Sequence, residues 1–496
     1  PEAGKRRGSA RPCSPSLACA PQLRDFSLQG LGALGEALAK LFGTDGVRGV
    51  VGDLMTPTFA LRMGHAIGAY FGQGSRVLLA RDARAAGDAL ARAVAAGLMA
   101  EGVKVYYAGM VPTPTLQYGV KSLGFDGGVM ITASHNPREY NGIKVIERDG
   151  VEIPHEREPI IEEYYFKGHE TNLPWRSMVY DVADVSQVVI DTYVKAVVSQ
   201  VDAELIAKRE FRVLLDCANS VGSVTTPLIL RELNVKYVSV NCNMDPGFPG
   251  RNPEPNEENL ALTMKFVREA GVNMAVAHDG DADRAILIDE RGRLIWGDRA
   301  GALLTRFVVE SGRWKGYPLR AFTAVSSSQL VEEYLRPAGV EVVWNSVGSV
   351  TIARNIISSG GAISGFEDNG GYMHVPHHTV RDGGMTTALA LYMLAATGRS
   401  LGELYDSLPQ YYAVKTKVEA TREQAKCGVE AVKEAFSGYR QITIDGVKVI
   451  GDDFWVLVRP SGTEPIMRIS VEARTREKAE ALVKQVEDLY RSRCAR

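Results

Sequence analysis

Three stretches of this chain repeat one pattern, and the repeat limits the folds open to it. The first runs Arg76-Val-Leu-Leu-Ala-Arg-Asp82, an Ala-rich helical segment, then Gly102-Val-Lys-Val-Tyr106. The second runs Phe211-Arg-Val-Leu-Leu-Asp216, a helical segment, then Asn234-Val-Lys-Tyr-Val238. The third runs Arg320-Ala-Phe-Thr-Ala-Val325, a helix over Gln329 to Leu335, then Gly339-Val-Glu-Val-Val343. Each reads as buried strand, loop, amphipathic helix, turn and second strand. Such a βαβ unit has parallel strands and a right-handed crossover. Three copies in 496 residues predict three related α/β domains.

The C-terminal part has a different order. Thr416 to Ala420 is strand-like and Arg422 to Phe436 helical. Gln441 to Ile450, Phe454 to Val458 and Arg468 to Ala473 read as strands, and Arg476 to Arg493 as a helix. That mixture predicts a smaller α+β domain. The expected domains are 41–185, 186–296, 297–405 and 406–496. Residues 1–40 stand apart: Pro1 to Pro21 is basic and rich in Ser, Pro and Ala, with no sustained apolar stretch. They read as a disordered tail and not as a secretory signal.

Composition excludes some partners. A net charge of -2 makes no electrostatic case for nucleic acid or an anionic membrane. No run approaches the roughly 18 apolar residues that span a bilayer. The six cysteines match no zinc spacing. Cys217 and Cys242 lie in or beside apolar strands and read as small core residues, so a reducing, cytoplasmic location is expected. The oligomeric state stays open, a homo-oligomer included.

Four strings carry the chemistry. T-A-S-H-N-P (Thr132–Pro137) follows the strand-like Gly-Gly-Val-Met-Ile and presents Ser134 at a strand end, where α/β proteins place reactive groups. Alone it reads more readily as a hydrogen-bonding turn. D-G-D-A-D-R (Asp279–Arg284) offers carboxylates at i, i+2 and i+4, which can converge on one hard dication. The same spacing opens an EF-hand, with Glu290 at its twelfth position. Arg284 stands where that turn needs glycine, however, and both flanks are strands. A solvated acidic turn is the competing reading, against which the mutual repulsion of three close carboxylates argues. G-F-E-D-N-G-G (Gly365–Gly371) holds Glu367 and Asn369 in a turn-prone loop. R-P-S-G-T-E-P (Arg459–Pro465) puts a guanidinium, two hydroxyls and backbone N–H groups into one tight loop, the make-up of a phosphate cradle.

In that order the four strings resemble the phosphoserine, metal, sugar and phosphate loops of the α-D-phosphohexomutases, a family that includes phosphomannomutase/phosphoglucomutase and phosphoglucosamine mutase. The resemblance runs from about Leu41 to the end and implies four domains around a central cleft. It also implies a phosphorylated Ser134 that gives its phosphate to one sugar hydroxyl and takes back the phosphate at the other end. Asp279, Asp281 and Asp283 would bind Mg²⁺ together with the phosphate on Ser134, and Arg284 would add a donor near the phosphoryl group. Asn141-Gly-Ile-Lys144 matches relatives in which this lysine is a candidate general acid/base, and a lysine near metal and arginine is expected to have a depressed pKa. An ordinary solvated lysine is the alternative. Gly43-Thr-Asp-Gly-Val-Arg-Gly49 matches the N-terminal motif, with Arg48 directed at the phosphoserine. Glu367 and Asn369 would contact the sugar, while Arg459, Ser461, Gly462 and Thr463 would hold the phosphate not being transferred.

Several positions depart from the family. Gly371 stands where many relatives have a sugar-binding histidine, Phe366 where small or acidic residues are common, and Ala80 where glycine is usual. The turn Ser346-Val-Gly-Ser349 lacks a lysine found in some relatives. His374, His377 and His378 lie near the sugar loop with no assignable role. Arg381-Asp-Gly matches archaeal-type members and makes Arg381 a structural or sugar-loop partner. His135 is expected to stabilise its loop, since adjacent side chains rarely form a Ser-His dyad.

The expected activity is interconversion of the 1- and 6-phosphates of mannose and glucose, with phosphoglucosamine mutase as the alternative. A serine hydrolase is disfavoured by the missing G-x-S-x-G elbow. A sugar- or Ca²⁺-binding protein would leave the serine loop and the phosphate cradle unexplained.

Overall fold

The computed structural model describes residues 40–171, 173–179, 181–461 and 465–495. The expected tail lies outside it, apart from Lys40. The described body contains four sheets. In the first, β1 (Val47–Val50), β2 (Arg76–Arg81), β3 (Lys104–Met110), β4 (Gly127–Ile131), β5 (Tyr140–Glu147) and β6 (Ala183–Asp184) lie in the order β1-β5-β4-β2-β3-β6. The second holds β7 (Arg212–Asp216), β8 (Lys236–Val240), β9 (Met274–His278), β10 (Ala285–Asp289) and β11 (Leu294–Ile295), in the order β11-β10-β9-β7-β8. The third holds β12 (Arg320–Ala324), β13 (Glu341–Asn345), β14 (Ser364–Phe366) and β15 (Tyr372–His374), in the order β13-β12-β14-β15.

Each of the three sequence repeats forms a parallel pair, β2 with β3, β7 with β8 and β12 with β13. Each sheet then repeats one further step. A strand parallel to the first of the pair (β4, β9, β14) turns back into an antiparallel neighbour (β5, β10, β15). The chain between those two strands is, in turn, the serine loop, the acidic loop and the Glu367 loop. The supporting strands are apolar and wholly buried, as parallel sheets covered on both faces require.

The fourth sheet is antiparallel throughout: β16 (Tyr412–Glu419), β17 (Arg440–Ile442), β18 (Val447–Ile450), β19 (Phe454–Pro460) and β20 (Ile466–Ala473), in the order β16-β20-β19-β18-β17. The helices Arg422–Ala435 and Arg476–Arg493 cover one face. The single strand expected over Gln441–Ile450 is instead a hairpin. Asp445-Gly446 is a strong turn signal, and Gly446 has φ +73° with its Cα facing the Val458 carbonyl too closely for a side chain. Trp455 and Leu457 of the other face pack on Val325 and Trp344 of the third domain.

The cysteine reading is corrected. Cys217 pairs with Cys242, and Cys427 with Cys494, as disulfides. Cys217 directly follows β7 and Cys242 lies two residues beyond β8, and the parallel pairing of those strands brings the two sulfurs together. Sparse cysteines thus gave no guide to redox compartment here. Among the described residues no helix is long and apolar enough to cross a membrane.

Candidate active site

Ser134 is buried and holds a left-handed backbone, φ +50°, which a non-glycine residue keeps only when its surroundings enforce it. Its N–H donates to Thr132 Oγ1 (2.9 Å), and the Thr132 hydroxyl donates to Asp82 Oδ2 (2.6 Å). Beneath the loop, the Arg84 guanidinium donates to the carbonyls of Ser134 (2.5 Å), Asn136 (2.6 Å), Pro137 (2.8 Å) and Tyr140 (3.0 Å), and to Asp82 (3.1 Å). Both charges of this pair are buried. Burial pushes the Asp82 carboxyl up to about 6, against the pull of Arg84. Breaking one partner of such a buried pair typically costs about 3–5 kcal/mol. Sequence reading stopped at Arg81-Asp82 and missed Arg84. The available signal was a further charge two residues after Asp82, at the end of an apolar strand.

The acidic loop closes over the serine. Gly280 passes so near that a Cβ would lie 2.4 Å from the Ser134 carbonyl oxygen. The Ser134 hydroxyl donates to Asp279 Oδ2 at 2.8 Å. Carboxylate oxygens of Asp279, Asp281 and Asp283 lie within 4.8 Å of one another, all buried. Asp281 Oδ1 and Asp283 Oδ1 have no hydrogen-bond partner. Leaving a buried acceptor in that state costs roughly 1–3 kcal/mol. Three converging oxygen donors with orphaned lone pairs fit a hard dication. Burial and the charges of Asp283 and Asp281 hold Asp279 well above the usual carboxylate range. Glu290, the EF-hand decoy position, accepts from Ser400 Oγ (2.7 Å) and Gly402 N (3.0 Å) instead.

Two cations tie this loop to the rest. Lys144, opposite Met130 on β5, places Nζ 2.9 Å from Asp45, 3.1 Å from Asp281 and 3.5 Å from Asp283. Burial disfavours its charge, but these three carboxylates outweigh burial and hold the lysine above its ordinary range. The depressed pKa expected from the sequence is therefore corrected, because the charges nearest the ammonium are negative. Arg381 reaches Asp283 (2.5 Å), Asp45 (3.1 Å) and Glu367 (3.5 Å), linking three domains through one guanidinium. Asp45 was not singled out in the sequence; only the fold shows that it faces both cations.

Arg48 donates to Asn136 Oδ1 (2.8 Å) and Asp45 Oδ2 (3.1 Å), at the rim of the serine loop. Arg284 pairs with Glu254 (3.1 Å) and donates to His135 Nδ1 (2.9 Å), with its Nε 3.9 Å from Asp279. His135 Nδ1 is 3.4 Å from Ser134 Oγ and already accepts from Arg284, so the pair is not a nucleophile–base dyad.

Glu367 is buried at the mouth of the β14–β15 turn, accepting from Gly348 N (3.1 Å) and facing Arg381. Burial raises its carboxyl. Asn369 Oδ1 accepts from Gly371 N (3.2 Å), shaping the turn. The three histidines at the end of β15 and beyond it point elsewhere: His374 meets Trp314, His377 stacks on Tyr118, and His378 reaches the Asp149 carbonyl.

Arg459 stands on a different wall. Its Nη1 is 2.8 Å from Asp445 of the β17–β18 turn. Ser461 follows, its N–H donating to Ile466 O (2.9 Å), while Gly462 and Thr463 lie outside the described residues. A cleft of about 570 Å³ lies between this wall and the Glu367 loop, lined by residues that include Ser326, Val347, Asp368, Lys415 and Arg459. The fold thus joins Ser134, the acidic triad, Lys144, Arg48, Arg284 and Glu367 in one network, with Arg459 and Ser461 across a cleft from it.

Family models match the chain in four consecutive parts: phosphoglucomutase/phosphomannomutase alpha/beta/alpha domain I over residues 39–172, domain II over 191–292, domain III over 296–412 and the C-terminal domain over 414–489. A phosphoglucosamine/phosphogalactosamine mutase of Sulfurisphaera tokodaii is 48% identical over 460 residues, 91% of this chain and 99% of that protein. A phosphoglucomutase/phosphomannomutase of Thermococcus kodakarensis is 42% identical over 449 residues, 89% of this chain and 96% of that protein. Among solved structures, a phosphoglucomutase/phosphomannomutase family protein of Burkholderia thailandensis superimposes with a TM-score of 0.80 at 25% identity, covering 92% of this chain and 97% of that one.

Proposed function

The chain belongs to the phosphoglucomutase/phosphomannomutase (α-D-phosphohexomutase) family and is a phosphohexomutase, an isomerase. From that premise we propose that it moves a phosphoryl group between O1 and O6 of a hexose through a phosphorylated Ser134 and a hexose 1,6-bisphosphate. The observation that carries this reading is the Ser134 hydroxyl, buried and 2.8 Å from Asp279 within a triad of carboxylates.

In the forward half-reaction a sugar hydroxyl oxygen attacks the phosphorus on Ser134, and the Oγ–P bond breaks. In the return half, Oγ attacks the phosphorus at the other end of the turned sugar, and the bond from that phosphorus to the sugar oxygen breaks. We assign this proton step to Lys144, whose ammonium gives a proton to the departing oxygen and takes back the one that the attacking hydroxyl releases, so that no net proton is gained or lost. Such transfers depend on positioning and charge more than on covalent chemistry. Arg84 and Thr132 fix the serine, and Arg48 and Arg284 bring positive charge to its rim. We assign Asp279, Asp281 and Asp283 to Mg²⁺, which when bound supplies charge neutralisation at the phosphoryl oxygens. Glu367 and Asn369 contact the sugar, and Arg459, Ser461, Gly462 and Thr463 the second phosphate. The domain limits 41–185, 186–296, 297–405 and 406–496 belong to the same proposal. So does a cytoplasmic location.

For the sugar we favour mannose and glucose phosphates. Glu367 is the loop's buried carboxylate and is already committed to Arg381 and Gly348, which leaves it a poor counter-ion for an ammonium at C2. A hydroxyl there asks for none. The second reading, a 2-amino sugar phosphate, is favoured by the 48% identical relative. Comparing kcat/KM for mannose, glucose and glucosamine 1-phosphates decides between them: the highest value for glucosamine 1-phosphate would overturn our preference. Intact-mass measurement tests the mechanism, since the enzyme should carry about 80 Da of phosphate on part of its Ser134.

A further inference from the structure

Four cationic side chains and one carboxylate line the cleft between the third and fourth domains, in a chain whose net charge is -2. Three of the cations form a row. Lys417 on β16 lies directly opposite Arg468 on β20, which lies directly opposite Arg459 on β19. Like charges in facing positions repel, so such a row favours an anion. The row faces the cleft and not the domain core: Val414 and Val418, of opposite parity on the strand, pack inward, while Leu457, on the side of Arg459, packs toward the third domain. Lys415, two residues from Lys417, donates to Asp368 Oδ2 of the Glu367 loop at 3.1 Å. Arg459 has Asp445 as a partner, whereas Lys417 makes no hydrogen bond or ion pair with any described residue.

We propose that Lys417, assisted by Lys415, is a second phosphate station that keeps the hexose bisphosphate bound while it turns end for end. The inference rests on the mutase reading above. During the turn the phosphate held at the Arg459 cradle must leave it so that the other can enter, and a bisphosphate that escapes leaves Ser134 unphosphorylated and the enzyme inactive. Neighbouring strands are about 4.8 Å apart, so Lys417 lies two strand spacings from Arg459 along the same face. A phosphate released from Arg459 has the Lys417 ammonium beside it on the same face of the sheet. The station suits a dianionic phosphoryl group and is exposed enough to release it.

The test is the initial rate of hexose 1-phosphate isomerisation with and without added glucose 1,6-bisphosphate. The parent enzyme should respond by less than about twofold, and Lys417→Ala by roughly tenfold, the factor that corresponds to losing one charge-assisted contact. Lys417→Arg should restore the parent behaviour, and Lys415→Ala/Lys417→Ala should depend on the bisphosphate more strongly still. Lys417→Ala with unchanged rates, or slowed equally with and without bisphosphate, would overturn the station. So would a parent enzyme that itself needs added bisphosphate. A parent that isomerises no hexose phosphate under either condition, and whose Ser134 carries no phosphate, would instead remove the mutase reading on which the station rests.

Discussion

The two ends of the proposed reaction path hold charge in opposite ways. Around Ser134 the central cations are buried and paired: Lys144 with three aspartates, Arg381 with two aspartates and Glu367, and Arg84 with Asp82 and four carbonyls. Along the fourth sheet Arg459 is half-buried, and Lys415 and Lys417 are exposed. Buried, mutually oriented charges need no rearrangement when charge develops in the transition state. Exposed ones are screened and interact weakly, which suits a site that must grip and release a phosphate in every cycle. The chemistry is assigned to the rigid end and the handling of the ligand to the open one.

That contrast breaks most clearly at Ser134. Ser134→Ala should reduce turnover by at least about a thousandfold and abolish protein-bound phosphate, with the fold retained. Near-normal turnover in that variant would remove the rigid end from the chemistry altogether.

The second and fourth domains each carry a disulfide, and the first has none among its described residues. In the chain-entropy account, opening Cys427–Cys494, which closes 67 residues, costs on the order of 4 kcal/mol, slightly more than opening Cys217–Cys242, which closes 25. Urea unfolding of Cys427→Ala/Cys494→Ala beside Cys217→Ala/Cys242→Ala should show that order, with the larger loss in the first pair. An unchanged midpoint in both would return the cysteines to the simple core role.

At the open end, Arg459→Ala should raise KM for hexose phosphates about tenfold to a hundredfold while leaving the binding of unphosphorylated glucose unchanged, as measured by calorimetry. Equal losses for both ligands would make the loop a general binding surface. The smallest effect concerns acid. Burial drives the His378 imidazole down to about 3 at the junction of the first and third domains. The unfolded chain therefore takes up that proton first, and the stability this site contributes, full above about pH 6.5, is lost as pH falls toward 3. Between pH 7 and 5 the loss is about 2 kcal/mol, and His378→Gln, which keeps a donor for the Asp149 carbonyl, should lose that much less than the parent in chemical denaturation at the two pH values. Equal pH sensitivity in both proteins would place the acid response elsewhere.

The sequence by itself determined the local grammar. The apolar runs and glycine turns around residues 76–106, 211–238 and 320–343 specify βαβ units, because strand and helix periodicities are carried by neighbouring residues. Ser134, the Asp279 triad, Glu367 and Arg459 were picked out in the same way, each within a short string beside a strand. Asp445-Gly446 was just as local and should have been recognised as a hairpin.

What the tertiary structure decided depends on contacts between residues far apart in the chain. The common position of three functional loops, each between a parallel strand and its antiparallel return, appears only once the sheets are assembled. Arg84 lies 50 residues from the carbonyl it holds at Ser134, Asp45 and Arg381 are 336 residues apart, and Cys242 meets Cys217 only through the register of β7 and β8. The charge of Lys144 shows why. Electrostatic energy depends on distance and burial, and neither is a property of the residues next to Lys144 in sequence. The fold brought three carboxylates within 3.5 Å of its ammonium, from positions 45, 281 and 283 of the chain.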